Sequence, residues 1–189
     1  MNRIILMLVA AGMTSACTQE VDLAARADTS RTTVKTFAQT LQGELKAAIE
    51  AGGPPNAISV CHIRAPAIAS ELSAMQGWTV GRTSAKARNP ENRPDAWEAK
   101  VLADFEMRKA AGEDPSKLEF FEVVTQGDEQ QFRYMKAIVI PENAPCLACH
   151  GTDIAPAVAE KLQMLYPDDP ATGYKAGDIR GAFTIIQPL

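Results

Sequence analysis

The chain has 189 residues, 46% hydrophobic and 22% charged, with 12 Gly, 12 Pro, four Cys, two His and a formal charge of -4. Such a mixture fits one or at most two globular domains and excludes a wholly disordered, collagen-like or many-span membrane protein. The mild acidity gives no support for nucleic-acid binding, and two histidines exclude any chemistry that needs several imidazoles.

Met1–Asn2–Arg3 is a short positive start, and Ile4 to Ala11 is an apolar run too brief to span a bilayer permanently. Gly12, Ser15 and Ala16 lead into Cys17, so residues 1–16 read as a secretory signal and Cys17 as a lipoprotein-type lipidation site. Thr14 stands where lipoproteins usually carry Leu, and plain cleavage with loss of Cys17 is the alternative. The expected product is periplasmic, membrane-anchored by a lipid on Cys17, with a polar tether over 17–31 and one domain over 32–189.

Within that domain, Val34, Phe37, Leu41, Leu45 and Ile49 recur at helical spacing until Gly52–Gly53–Pro54–Pro55 stops the pattern. A second helical stretch runs from Asn56 to Gln76, and Pro66 should kink or split it near Ile63–Ala65. Trp78–Thr83 reads as a short strand, Pro90–Pro94 as a turn, and Asp95–Ala111 as a third helix with Trp97, Val101 and Phe105 on one side. Phe120–Thr125 and Phe132–Ile140, rich in β-branched and aromatic residues, form a hairpin around Gln126–Gly127–Asp128. A helix over Pro156–Leu165 and a strand over Gly181–Ile186 complete the chain. Helices placed before and between antiparallel strands predict an α+β domain.

Cys146–Leu147–Ala148–Cys149–His150 has the spacing of covalent c-type haem attachment. Each thiol can form a thioether with one vinyl group, and the following imidazole suits the proximal position on iron. A zinc site would need about two more ligands, and the folded part holds just Cys61 and His62 besides. A thioredoxin-like disulfide would sit in a βαβ context, which the pattern lacks. Export agrees with haem, because its covalent attachment takes place outside the cytoplasm.

Cys61 is then an unpaired thiol in an exported protein. On a helix, Ile58, Cys61, Ala65, Ile68 and Leu72 make one apolar stripe, while His62 shares a face with Ser59, Pro66 and Ala69. Neighbouring helical residues point about 100° apart, so one of Cys61 and His62 faces the iron, and the stripe favours Cys61. Met75, Met107, Met135 and Met164, His62, or an open sixth position are the alternatives.

Several segments together resemble a known family. They are Cys61 through Leu72, Gly77–Trp78–Thr79–Val80–Gly81–Arg82–Thr83–Ser84, Arg88–Asn89–Pro90–Glu91–Asn92 and Pro94–Asp95–Ala96–Trp97–Glu98. Cys146–Leu147–Ala148–Cys149–His150–Gly151 and Gly177–Asp178–Ile179–Arg180–Gly181–Ala182 complete the set, which covers roughly residues 32–187. The chain is similar to the PAS-like c-type haem domain family, found as single exported proteins and as sensory parts of signalling proteins. The resemblance implies a PAS-like antiparallel sheet flanked by helices, one covalent haem c, His150 as proximal ligand and Cys61 as distal ligand.

The turn from Arg82 to Arg93 carries Arg82, Lys86, Arg88 and Arg93 against Glu91, so Arg82 and Arg88 are candidates to pair with haem propionates. Gly177–Asp178–Ile179–Arg180–Gly181 reads as a tight turn. Thiolate stabilises ferric iron, and release of Cys61 on reduction would open a position for NO or CO. The expected function is redox or gas sensing through an unknown partner; the alternative is a periplasmic electron-transfer cytochrome. An enzyme is not expected, because His62 would be the sole histidine available as a distal acid or base.

Overall fold

The computed structural model describes residues 22–142 and 145–189, so the leader, Cys17 and the start of the expected tether lie outside the described residues. The first helix, α1 (Leu23–Ser59), opens at Asp22, whose carboxylate accepts from the Ala25 N–H at 2.9 Å. It therefore begins inside the stretch expected as a tether. Ala27 and Ser30 are buried, and the Gln187 side chain donates to Ser30 Oγ at 2.9 Å and accepts from Arg26 Nη1 at 2.9 Å. Small and polar residues pack this turn against the last strand by close approach, which leaves no apolar stripe to read.

Gly52 and Gly53 leave helical geometry, Gly53 with φ of 72°, so α1 breaks where the Gly-Gly-Pro-Pro run was expected to end it. Pro66 splits the helical stretch near Ile63–Ala65, one of the two outcomes expected, through a wider turn. Val60–Arg64 form a π-helical turn, with the Ala65 N–H reaching the Val60 carbonyl, and α2 (Ala65–Gln76) follows directly. A proline ring collides with the carbonyl four residues earlier, here that of His62, and one wider turn relieves the collision.

Four strands, β1 (Thr79–Thr83), β2 (Glu119–Gln126), β3 (Glu129–Val139) and β4 (Ile179–Pro188), form an antiparallel sheet in the order β1-β4-β3-β2. Alternation along β3 and β4 divides the core. Phe132, Tyr134, Phe183 and Ile185 pack with Phe37, Ile68 and Leu72 of α1 and α2. Met135, Ala137 and Ala182 face the other way, onto Val101, Leu102 and Phe105 of α3 (Ala96–Ala110). Two shorter helices, α4 (Leu147–His150) and α5 (Pro156–Leu165), lie between β3 and β4, and α5 covers Ile58 with Val158 and Leu162. The fold is the α+β arrangement expected, an antiparallel sheet flanked by helices in one domain.

The Pro94–Glu98 segment fastens α3 to the sheet. Asp95 and Glu98 form a reciprocal capping box, and Glu98 also accepts from Thr184 Oγ1 at 2.7 Å. Arg133 binds Asp95 at 2.7 Å, lies 3.4 Å from Glu98 and stacks 4.3 Å from the Trp97 ring. With Glu98 and Arg133 both buried, Glu98→Ala removes one of the two acids beside the guanidinium, leaves Asp95, and unpairs the Thr184 hydroxyl, so it is expected to cost about 1.5–3 kcal/mol in denaturant unfolding. Thr184→Val, which removes one neutral donor, should cost about 1 kcal/mol.

Candidate functional site

The attachment pentapeptide closes on itself as one helical turn. The His150 N–H donates to the Cys146 carbonyl at 2.9 Å, and the Gly151 N–H to the Leu147 carbonyl at 2.9 Å. A Cβ on Gly151 would stand 2.5 Å from that Leu147 carbonyl oxygen, so only glycine lets the chain leave α4 here. The 171–174 loop then laces to it. Tyr174 N–H donates to the His150 carbonyl, and Gly173 N–H to the Gly151 carbonyl, both at 2.9 Å.

The same loop orients the imidazole. His150 Nδ1 lies 2.8 Å from the Ala171 carbonyl and 3.2 Å from Arg180 Nε. A single nitrogen cannot donate to the first and accept from the second. The shorter contact selects the tautomer with its proton on Nδ1, which frees the Nε2 lone pair for a metal. Burial, seconded by the charges of Arg180 and Arg88, pushes the His150 pKa down to about 3, so the ring is neutral at pH 7.

Arg88 holds this assembly. Its Nε binds Asp169 at 2.8 Å, and one terminal nitrogen donates to the carbonyls of Cys149 at 2.6 Å and Ala171 at 3.2 Å. Asp169 also accepts from the Ala171 N–H at 2.9 Å. The ion pair is buried, with side-chain exposures of 9% and 10%. Arg88 was expected at a propionate; the structure commits these nitrogens to the protein.

Two cavities share Cys146, His150 and Arg88 as walls. The smaller, about 70 Å³, is lined by Leu45, Ile49 and Ile58 together with Cys61, Cys149 and Tyr166. The larger, about 200 Å³, reaches between α1 and the sheet and is lined by Leu41, Ile138, Phe183, Arg82 and Arg180 among others. Gly181 stands at its wall with φ of 154°, where a Cβ would meet the Thr83 carbonyl oxygen at 2.3 Å. The result is an apolar cleft with thiols and an imidazole on its edge, a lining whose chemistry suits a flat organic group carrying a central metal. A bare ion does not fit: no three His, Cys, Asp or Glu residues among those described are close enough together to hold one.

Cys61, on the π-helical turn, faces the cleft, while its neighbour His62 is exposed and pairs through Nδ1 with Tyr166 Oη at 2.8 Å. Ile58, Ala65, Ile68 and Leu72 are buried as the stripe required. Burial raises the Cys61 thiol pKa, against the opposing pull of Arg82, Arg88 and Arg180. Met75, Met107 and Met164 are exposed, and Met135 is buried in the α3 core, so no methionine among the described residues lines the cleft.

Arg180, Asp169, Tyr166 and Tyr174 belong to the site and were not singled out in the sequence as site residues. The Gly177–Gly181 run does form a turn into β4, but Arg180 within it also donates to Ser84 Oγ at 2.9 Å and stacks 5.4 Å from Tyr174. Its place beside Gly181, at the entry to the last strand, was the one available signal.

Fold and cleft together define a class of small α+β proteins with a Cys-x-x-Cys-His turn set into an apolar groove. A family model described as Tll0287-like matches residues 13–188, and the chain belongs to that family. It is similar to a solved structure described as the cyanobacterial haem-protein Tll0287, with a TM-score of 0.67 and 25% identity over 87% of this chain and 95% of that one. A comparison with curated proteins gave no match.

Proposed function

We propose that this chain is an exported haem protein with one covalent haem c, working in redox or gas sensing rather than catalysis. Cys146 and Cys149 would carry the thioether bonds, with His150 as proximal ligand and Cys61 as distal ligand. One observation carries the reading: three thiols and a neutral imidazole from two separate elements line a single apolar cleft without converging on a point. That is the layout a macrocycle needs and a bare ion does not. The relative Tll0287, described as a haem-protein, supports it.

When bound, the group would supply one-electron exchange and, once Cys61 gives up its place, binding of NO or CO. The protein's own contributions follow from the geometry. Ala171 holds the His150 proton at Nδ1, and α4 holds the two sulfurs one turn apart. Leu45, Ile49 and Ile58 keep water from the Cys61 side. Cys61 sits on a turn with one extra residue, and such turns can change their hydrogen-bonding phase at modest cost. A sulfur that leaves would take up a proton from solvent, since burial favours the neutral thiol. The shift would be felt in α1 and α2, which flank that turn.

Mass spectrometry and the pyridine haemochrome spectrum of protein made with its own leader test this. The expected result is one haem per chain resistant to acid-acetone extraction in wild type, and loss of that retention in Cys146→Ala/Cys149→Ala. Free or mutually bridged sulfurs in the native protein would refute covalent attachment.

A further inference from the structure

Three guanidinium groups line the larger cavity, and no carboxylate among the described residues does. Arg88 is neutralised by Asp169. Arg82 has no hydrogen-bond or ion-pair partner among the described residues; its nearest defined contact is the Phe37 ring, 5.6 Å away. Arg180 contacts a hydroxyl, a carbonyl and an imidazole, but no acid. Asp169, the acid whose field reaches Arg180, is already held by Arg88 and the Ala171 N–H. Burial disfavours the charge on both, and Arg180 adds repulsion at Arg82. Both side chains are half-buried on the cavity wall without an acid partner among the described residues, and a guanidinium so placed is stabilised by an anion. Two such cations facing one cavity fit two negative charges on a bound molecule.

We propose that Arg82 and Arg180 form a subsite for two carboxylates, the acid side chains of the macrocycle proposed above, and that Arg88 is not part of it. This rests on the haem reading and deepens it, because it assigns the orientation. The acid edge lies against β1 and the start of β4, where Arg82 and Arg180 stand, and the vinyl edge lies against Cys146 and Cys149. The apolar walls Leu45, Ile49 and Ile58 of the smaller cavity then cover the far side. Guanidinium suits the task, since it presents paired donors to a carboxylate and stays charged when desolvated.

The cations also act on the iron. Positive charge nearby favours the ferrous form, so losing Arg82, and with it the neutralisation of one carboxylate, should favour ferric iron. Potentiometric titration of haem-loaded Arg82→Gln is expected to give a lower midpoint than wild type, with Arg82→Lys recovering most of the difference. Each tenfold change in the ferric-to-ferrous ratio at fixed potential appears as about 59 mV for a one-electron couple. Resonance Raman spectra should show the carboxylate bending modes of wild type shifted in Arg82→Gln, with retained absorption of the axially ligated iron.

An unmoved midpoint together with unmoved bending modes in haem-loaded Arg82→Gln would overturn the subsite while leaving the haem reading intact. A wild-type midpoint that rises or falls on adding succinate would also overturn it, because the cavity would then be taking free dicarboxylates. Wild-type protein without haem would instead sink the reading on which the subsite depends. Should Arg82→Gln fail to fold, Arg82→Lys and the succinate titration still decide the matter.

Discussion

Arg88→Ala is expected to destabilise the protein by about 3–5 kcal/mol and to lower sharply the fraction of chain that carries covalent haem. The reason is the partner left behind. Asp169 is 10% exposed, and without Arg88 its carboxylate keeps the Ala171 N–H but loses its counter-charge. Two carbonyls, those of Cys149 and Ala171, lose a donor at the same time. Both flank the chemistry: the first belongs to the residue before His150, and the second fixes the His150 proton.

Asp169→Asn should cost less than Arg88→Ala, since an amide oxygen can still accept from the guanidinium. The double change Arg88→Met/Asp169→Leu separates stability from loading. Removing both charges should return most of the lost stability, because a buried ion pair replaced by apolar groups is often near neutral. It should not return the loading, because the Cys149 and Ala171 carbonyls remain without their donor. Denaturant unfolding and haem content per chain read the two effects independently. Full recovery of loading in the double variant would mean that Arg88 serves packing alone.

This division between charge and geometry also explains what was legible in the sequence. The four strands, the break at Gly52–Gly53 and the capped helix at Asp95 announce themselves locally, through alternation, glycine and capping chemistry. Cys146, Cys149 and His150 stood out by their spacing, and Cys61 by its place on an apolar stripe; the structure puts all four on one cleft. Leu23–Ser30 was missed as a helix because its buried face is Ala27 and Ser30, which pack by closeness instead of hydrophobic bulk. Pro66 was readable as a disturbance, but whether a helix kinks or widens depends on what holds its two ends. Here Ile58 is covered by α5 and Ile68 by the sheet, and between these two anchored ends the extra residue is absorbed as a π turn.

The basic residues were the hardest to sort. Arg82 and Arg88 look equivalent in a turn rich in positive charge, and only the position of Asp169, far along the chain, separates them. Arg180 was hidden for the same reason. Its neighbours Ser84 and His150 come from β1's exit and from α4, and long-range contacts of that kind leave no periodic mark.

Cys61→Ser is the second substitution with a large expected effect, and it bears on ligation and on sensing together. Serine keeps the size and the helix, so the fold should survive with a stability change of under about 1 kcal/mol. The low-spin ferric signature of a thiolate donor should disappear from the absorption and EPR spectra. The midpoint should rise, because an anionic donor that favours ferric iron has gone; axial ligands as a class command a span of roughly 0.8 V. His62→Ala and Met135→Leu should leave the spectra as they are, since His62 points to Tyr166 and Met135 lies in the α3 core. Ferrous wild type should bind CO if Cys61 gives up its place on reduction, and ferrous Cys61→Ser should bind it faster, with no thiol to displace. If ferrous wild type keeps its ligands and excludes CO while Cys61→Ser admits it, Cys61 is a permanent ligand. In that case the protein is built to pass electrons with little rearrangement, and the π turn beneath Cys61 serves Pro66 alone.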